Sequence, residues 1–254
     1  TASAFILCAG GLKVTKFGNR SASGSSGSQD FLELLGINNS VPVTYIEKIF
    51  EKVGLVFLNA RDFYPDLTRL AEARKRLARP TLLNYIAPLL NPAKPAFRLT
   101  GVSNEKMQDY LSKLLAFDTN LKKALLVRSE NGLDELEPDS SNRVIEIMPP
   151  DKITYELPAE FLPGKNWNKK IPSSQERILS NKQKKELFVA ILKGEDRCSN
   201  IFKTLILNAG AAFYAGNKTG SIKDGMKLAE ELLRGGKVEE TFRRARRVYD
   251  EFSR

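Results

Sequence analysis

Residues 12–38 read LKVTKFGNRSASGSSGSQDFLELLGIN, and the order of their parts decides the fold class. LKVTK (12–16) has the length and composition of a short strand. Phe17 to Ser28 is polar and dense in glycine and serine, and Gln29 to Leu35 restores helical spacing. A strand, a glycine-rich loop and a helix in this order can cradle an anion. Glycines let successive N–H groups converge, serine hydroxyls add donors, and the helix N-terminus contributes its dipole. Lys16 and Arg20 add positive charge. A flexible serine–glycine linker has the same composition, but the flanking strand and helix favour the cradle.

Ahead of this stretch, residues 2–10 read as a buried helix of small residues that stops at Gly10-Gly11. Behind it, a helix starts after Pro42 with Ile46, Ile49, Phe50 and Val53 on one face, and GLVFLNA (54–60) has the apolar run of a fully buried strand. An arginine-bearing amphipathic helix is expected over 66–79, ending at Pro80, with a short helix from Leu82 to Leu90. Strands are expected at 96–102, 122–128, 143–148 and 152–157, with a helix from Asn104 to Ala116 capped by Asn104 or Ser103. Residues 158–175 read as an irregular surface loop, and helices fill 181–193, 199–217, 221–235 and 237–252. This alternation predicts an α/β fold: a central mixed, largely parallel sheet flanked by helices, with a helical C-terminal portion, in one domain spanning residues 1–254.

The composition, 42% hydrophobic and 28% charged over 254 residues, is enough for a substantial core. No apolar run approaches the length of about 20 residues that a membrane helix needs, so no membrane partner is expected. The two cysteines, Cys8 and Cys198, show neither a disulfide framework nor metal-ligand spacing, and a reducing cytoplasm is the expected setting. The chain contains no histidine, which excludes imidazole as base, acid or metal ligand. A net charge of +10 suits a phosphate-bearing partner, whether a small molecule or nucleic acid, and equally a lysine-rich solvated surface. The opening TASAFILCAGG reads as the inside of a helix, so the chain is expected to begin partway through a protein.

Asn131-Gly132-Leu133-Asp134-Glu135 follows a predicted strand. Adjacent carboxylates there suit magnesium, which prefers oxygen ligands and bridges phosphates, although such a pair in a loop also reads as plain exposed charge. Near the C-terminus, small residues in LNAGAAFY (207–214) would let helices approach closely, and Ser221 caps the next helix with Asp224 at the capping-box position.

In combination these motifs resemble the anthranilate phosphoribosyltransferase family. Residues 16–38 are similar to that family's loop for phosphoribosyl pyrophosphate (PRPP). FLNARDFYPDLTRLAEARKRLARPTLLNYIAPLLNPA (57–93) is similar to its run ending in Gly-Pro-Leu-x-Asn-Pro-Ala, and GLDE (132–135) to its magnesium site. The likeness runs in one order through almost the whole chain. It implies that Lys16, Gly18, Asn19, Arg20, Ser23, Gly24 and Ser28 bind PRPP, and that Asp134 and Glu135 hold Mg2+. It implies that Asn19, Tyr64, Arg74 and Pro88 face an aromatic acceptor, anthranilate or a related aromatic amine; the Arg74 guanidinium suits a planar carboxylate. A homodimer in the complete protein is implied too, with the family's N-terminal helical segment and first glycine-rich loop preceding Thr1.

Departures from the family pattern are concentrated in the acceptor region. Phe17, Tyr64 and Arg128 stand where the family has histidine, and Ala87 replaces a glycine. No catalytic side chain is assigned. The more apolar, aromatic pocket implies an acceptor other than anthranilate, or lost turnover. A second reading is a catalytically altered relative that binds nucleic acid through Lys165, Lys169, Lys170, Lys182, Lys184, Lys185 and the cluster Arg243, Arg244, Arg246, Arg247.

Overall fold

Apolar strands alternating with amphipathic helices produce an α/β architecture. The computed structural model describes residues 1–18, 28–69, 76–77, 81, 83, 86–161, 180–195 and 199–253. Helix α1 (Ala2–Ala9) is almost wholly apolar and is enclosed by the core through Phe5 and Ile6. Gly10 follows it because a Cβ there would lie 2.5 Å from the Phe213 ring. The chain then enters strand β1 (Val14–Gly18), which pairs in parallel with β2 (Leu55–Asn59), Lys16 opposite Phe57 and Gly18 opposite Asn59.

The connection between them carries α2 (Ser28–Leu34) and α3 (Ile46–Val53), the crossover that parallel pairing requires. The strand expected at 12–16 therefore lies two residues later. Phe17 and Gly18 belong to it, not to the loop, because the ladder with β2 runs to its end. Short helices α4 (Ala60–Phe63) and α5 (Pro65–Arg69) follow β2, and Ala87–Leu90 is a 3-10 turn. Residues 70–75 and 78–79 of the expected 66–79 helix, with its breaker Pro80, and most of the 158–175 loop lie outside the described residues.

A second sheet has the order β3 (Phe97–Gly101), β4 (Lys123–Ser129), β5 (Asn142–Met148), β6 (Asp151–Leu157). Helix α6 (Glu105–Leu115), capped by the Asn104 side chain accepting from the Met107 N–H at 3.0 Å, makes the β3–β4 pair parallel. The β4–β5 and β5–β6 pairs are antiparallel. The α/β class and mixed strand directions follow the expectation; the arrangement differs in detail. Described strands form two sheets instead of one, with parallel and antiparallel pairs equal in number. The reason is local: no helix lies between β4 and β5, and only Pro149-Pro150 separates β5 from β6, so neither connection can return the chain for parallel pairing.

The C-terminal part is helical as expected: α7 (Asn181–Leu192), α8 (Asn200–Ala215), α9 (Ile222–Arg234) and α10 (Lys237–Phe252). Helix α8 is buried along most of its length. Gly210 and Gly225 let α9 cross it at backbone contact, since a Cβ on Gly225 would sit 2.3 Å from the Gly210 carbonyl oxygen. Helix α8 is tied to the four-stranded sheet by a buried pair: Lys123 Nζ lies 3.0 Å from Glu146, and the Tyr214 hydroxyl donates to the same carboxylate at 2.9 Å. Ser221 caps α9, its hydroxyl accepting from the Asp224 N–H at 3.1 Å, while the Asp224 carboxylate accepts from that hydroxyl at 2.7 Å, so only the Ser221 half of the capping box forms.

Candidate functional site

Strands β1 and β3, with α1 and α8, wall a cleft of about 480 Å3. Lys13, Lys16, Thr100, Gly101, Asp134 and Glu135 line it, with Asn208 and Ala212 of α8. The cleft thus runs along β1 of one parallel pair and along β3 of the other, with Val127 of β4 beside them.

Lys16 is half-buried, and desolvation holds its amine below the ordinary lysine value while the nearby Asp134 charge pulls it back up. An anion entering the cleft would favour the charged form of the amine.

Asp134 and Glu135 sit on an exposed turn whose backbone is pinned on either side. The Leu133 N–H donates to Ser129 Oγ at 3.1 Å, and Gly132, at φ +78, donates to the Ser129 carbonyl at 2.9 Å. On the other side, the Leu136 N–H donates to Asn208 Oδ1 at 3.1 Å and the Leu136 carbonyl accepts from Asn208 Nδ2 at 2.8 Å. No group of three or more metal-ligating side chains occurs among the described residues. Two adjacent carboxylates nevertheless fit magnesium, which keeps several waters and binds through one or two carboxylates plus substrate phosphates instead of a closed protein cage.

An aromatic wall stands beside β1. The rings of Phe17 and Tyr64 meet edge-on at 6.0 Å, and the Tyr64 hydroxyl donates to the Leu90 carbonyl at 2.8 Å. That bond fixes the 3-10 turn carrying Pro88 against Tyr64. Asn91 ties the same turn to β1, donating to the Thr15 carbonyl at 3.3 Å and to Thr15 Oγ1 at 3.2 Å.

Of the residues singled out in the sequence, Lys16, Asp134 and Glu135 come together in the cleft. Gly18 ends β1 facing open space, Ser28 opens α2, and Tyr64 and Pro88 belong to the aromatic wall and its turn. Asn19, Arg20, Ser23, Gly24 and Arg74 lie outside the described residues. Gly101 and Asn208 also line the cleft, though the sequence marks neither as a site residue; Asn208 falls in a small-residue packing motif, and an amide on an otherwise apolar helix is the available signal.

The basic residues are less free than their sequence suggests. Arg243 pairs with Glu239 at 2.6 Å, Lys182 with Glu186 at 3.9 Å, and Arg244 donates to the Val53 carbonyl at 3.2 Å. The groove between Arg243, Arg246 and Arg247 is also walled by Asp250 and Glu251. Lys165, Lys169 and Lys170 lie outside the described residues. Cys8 is buried with its thiol donating to the Val53 carbonyl at 3.2 Å, and burial pushes its pKa up, the opposite of a reactive thiolate. Among the described residues no helix is long and apolar enough to cross a membrane.

The family model for the glycosyl transferase family, a/b domain, matches residues 1–239. Anthranilate phosphoribosyltransferase of Streptococcus gordonii is 34% identical over 236 residues, covering 93% of this chain and 69% of that protein. The Lactococcus lactis subsp. lactis protein of the same name is 35% identical over 236 residues, covering 93% and 68%. The crystal structure of anthranilate phosphoribosyltransferase from Thermus thermophilus matches with a TM-score of 0.83 at 33% identity, covering 98% of this chain and 72% of that one. The Saccharomyces cerevisiae enzyme, solved in complex with PRPP and Mg, shares the fold with a TM-score of 0.83 at 21% identity, covering 98% and 69%.

Proposed function

Because the chain belongs to the anthranilate phosphoribosyltransferase family of glycosyl transferases, we propose that it transfers the phosphoribosyl group of PRPP to anthranilate or a related aromatic amine. The observation that carries this reading is that Lys16, Asp134 and Glu135 line one cleft, with Lys16 within electrostatic reach of Asp134. A cation and paired carboxylates in one cleft suit a diphosphate and its magnesium.

In this reaction the acceptor nitrogen forms a bond to the anomeric ribose carbon, and the bond from that carbon to pyrophosphate oxygen breaks. Pyrophosphate leaves with the electron pair, and the nitrogen releases a proton to solvent. Positive charge develops on the ribose ring, so positioning and electrostatics dominate catalysis. Mg2+ held by Asp134 and Glu135 would neutralise charge on the departing pyrophosphate. Lys16 binds the diphosphate, with Gly18, Asn19, Arg20, Ser23, Gly24 and Ser28 completing its cradle. Tyr64, Pro88, Asn19 and Arg74 orient the acceptor. An aniline-type nitrogen needs little deprotonation before attack, so the absence of histidine is compatible with turnover. The setting is the cytoplasm, and the working protein is a homodimer.

Isothermal titration of PRPP with and without Mg2+ tests the reading. Binding that strengthens with Mg2+ and loses that gain in Asp134→Ala/Glu135→Ala supports it; a protein that does not bind PRPP under either condition overturns it.

A further inference from the structure

We propose that Asn208 is a positioning residue for the acidic pair, acting together with Gly101, so that two elements distant in sequence hold Asp134 and Glu135 in register for a divalent cation. The inference rests on the reading of that pair as a magnesium site.

Asn208 is a buried amide on α8, and its side chain pairs with one backbone unit as a neighbouring strand would. Its Oδ1 accepts from the Leu136 N–H at 3.1 Å, and its Nδ2 donates to the Leu136 carbonyl at 2.8 Å and to the Thr204 carbonyl at 2.8 Å. Leu136 directly follows Glu135 and is fully enclosed, so this clamp sets where the acidic turn re-enters the core. An aspartate at 208 would have no donor for the carbonyl, and a leucine would leave both backbone groups buried and unmatched.

Gly101 meets the turn earlier, at Asp134. It ends β3, and a Cβ built on it would lie 1.6 Å from the Asp134 carbonyl oxygen and 2.4 Å from the Asp134 carbonyl carbon. Backbone therefore rests on backbone, and no side chain fits at 101 unless Asp134 moves. Both residues also line the cleft, but their contacts with the acidic turn are to the main chain that carries the carboxylates. Metal-binding carboxylates depend on such outer partners, whose loss typically lowers metal affinity about 10- to 100-fold.

The probe is inorganic pyrophosphate, titrated with and without Mg2+ into wild type, Asn208→Leu, Asn208→Asp, Gly101→Ala and Asp134→Ala/Glu135→Ala, with thermal melts of each ligand-free protein. Asn208 and Gly101 variants are expected to lose about 10- to 100-fold of the Mg2+-dependent gain, well beyond any change in their metal-free pyrophosphate affinity. Should Asn208→Leu fail to fold, the near-isosteric Asn208→Asp carries the same readout. A gain retained within twofold in the Asn208 variants but lost in the acidic double variant overturns the positioning role and leaves the metal site standing. Equal loss of affinity with and without Mg2+ marks a structural role only and also overturns the proposal. No Mg2+ gain in wild type removes the metal site itself, and the proposal with it.

Discussion

Phe17, the fourth residue of β1, meets Tyr64 edge-on, with ring centroids 6.0 Å apart and planes at 82°. Both stand where the family resemblance leads one to expect histidine, so an aromatic contact has taken the place of two titratable groups. The Tyr64 hydroxyl, spent on the Leu90 carbonyl at 2.8 Å, holds the wall against the turn that carries Pro88.

The first prediction concerns the acceptor. An apolar wall favours an aromatic amine less polar than anthranilate, so anthranilate is not expected to be the best substrate. Initial rates over a panel of aromatic amines decide this, and full turnover with anthranilate as the preferred acceptor contradicts it. Tyr64→Phe, which frees the turn, should raise the acceptor KM several-fold while leaving PRPP affinity unchanged, the pattern of lost uniform binding.

Lys16 gives the second. Burial holds its folded-state pKa below the ordinary value of 10.5. Between those two values the unfolded chain carries more protons than the folded one, so the ligand-free fold gains stability as pH rises through that interval. Below it, the cost of the buried charge is present in full. Lys16→Met is therefore expected to raise the melting temperature of the ligand-free protein at neutral pH while weakening pyrophosphate binding strongly. A variant that melts lower and binds normally would contradict both halves.

Tyr249 tests the frame behind the site. Its hydroxyl accepts from the buried Phe57 N–H of β2 at 2.9 Å, joining α10 to the strand beside β1. Tyr249→Phe leaves that N–H without an acceptor, and urea denaturation should show a loss of about 1–3 kcal/mol. PRPP affinity should be unchanged. A stability equal to wild type would mean that the N–H finds another partner.

The α8–α9 crossing supplies the last. A Cβ on Gly210 would lie 2.5 Å from Met226 Cγ and 2.8 Å from its backbone nitrogen. Gly210→Ala and Gly225→Ala should each destabilise by about 1–3 kcal/mol or more, as overpacking does. Gly220, with nothing within 4 Å of its Cβ position, should tolerate alanine within about 0.5 kcal/mol. Denaturation curves of the three variants settle the comparison.

Much of this molecule is legible locally. The apolar run at 55–58 is a buried strand, the helix read over 237–252 has those bounds, and of the two cap candidates Asn104 and Ser103 it is Asn104 that caps its helix. Each of these signals is carried by residues a few positions apart, through side-chain periodicity or a hydrogen bond within one turn. The glycine–serine stretch after β1 and the adjacent carboxylates were legible in the same way, as chemistry written in neighbouring residues. What the chain could not disclose by inspection is which distant surfaces meet. The division of the strands into two sheets, the seat of Asp134 on Gly101, and the clamp of Asn208 on Leu136, 72 residues away, arise only when helices and sheets pack. An asparagine amide satisfies its partners wherever packing brings them. Its own sequence neighbourhood on α8 records a helix, while the backbone unit it holds is chosen by the tertiary structure.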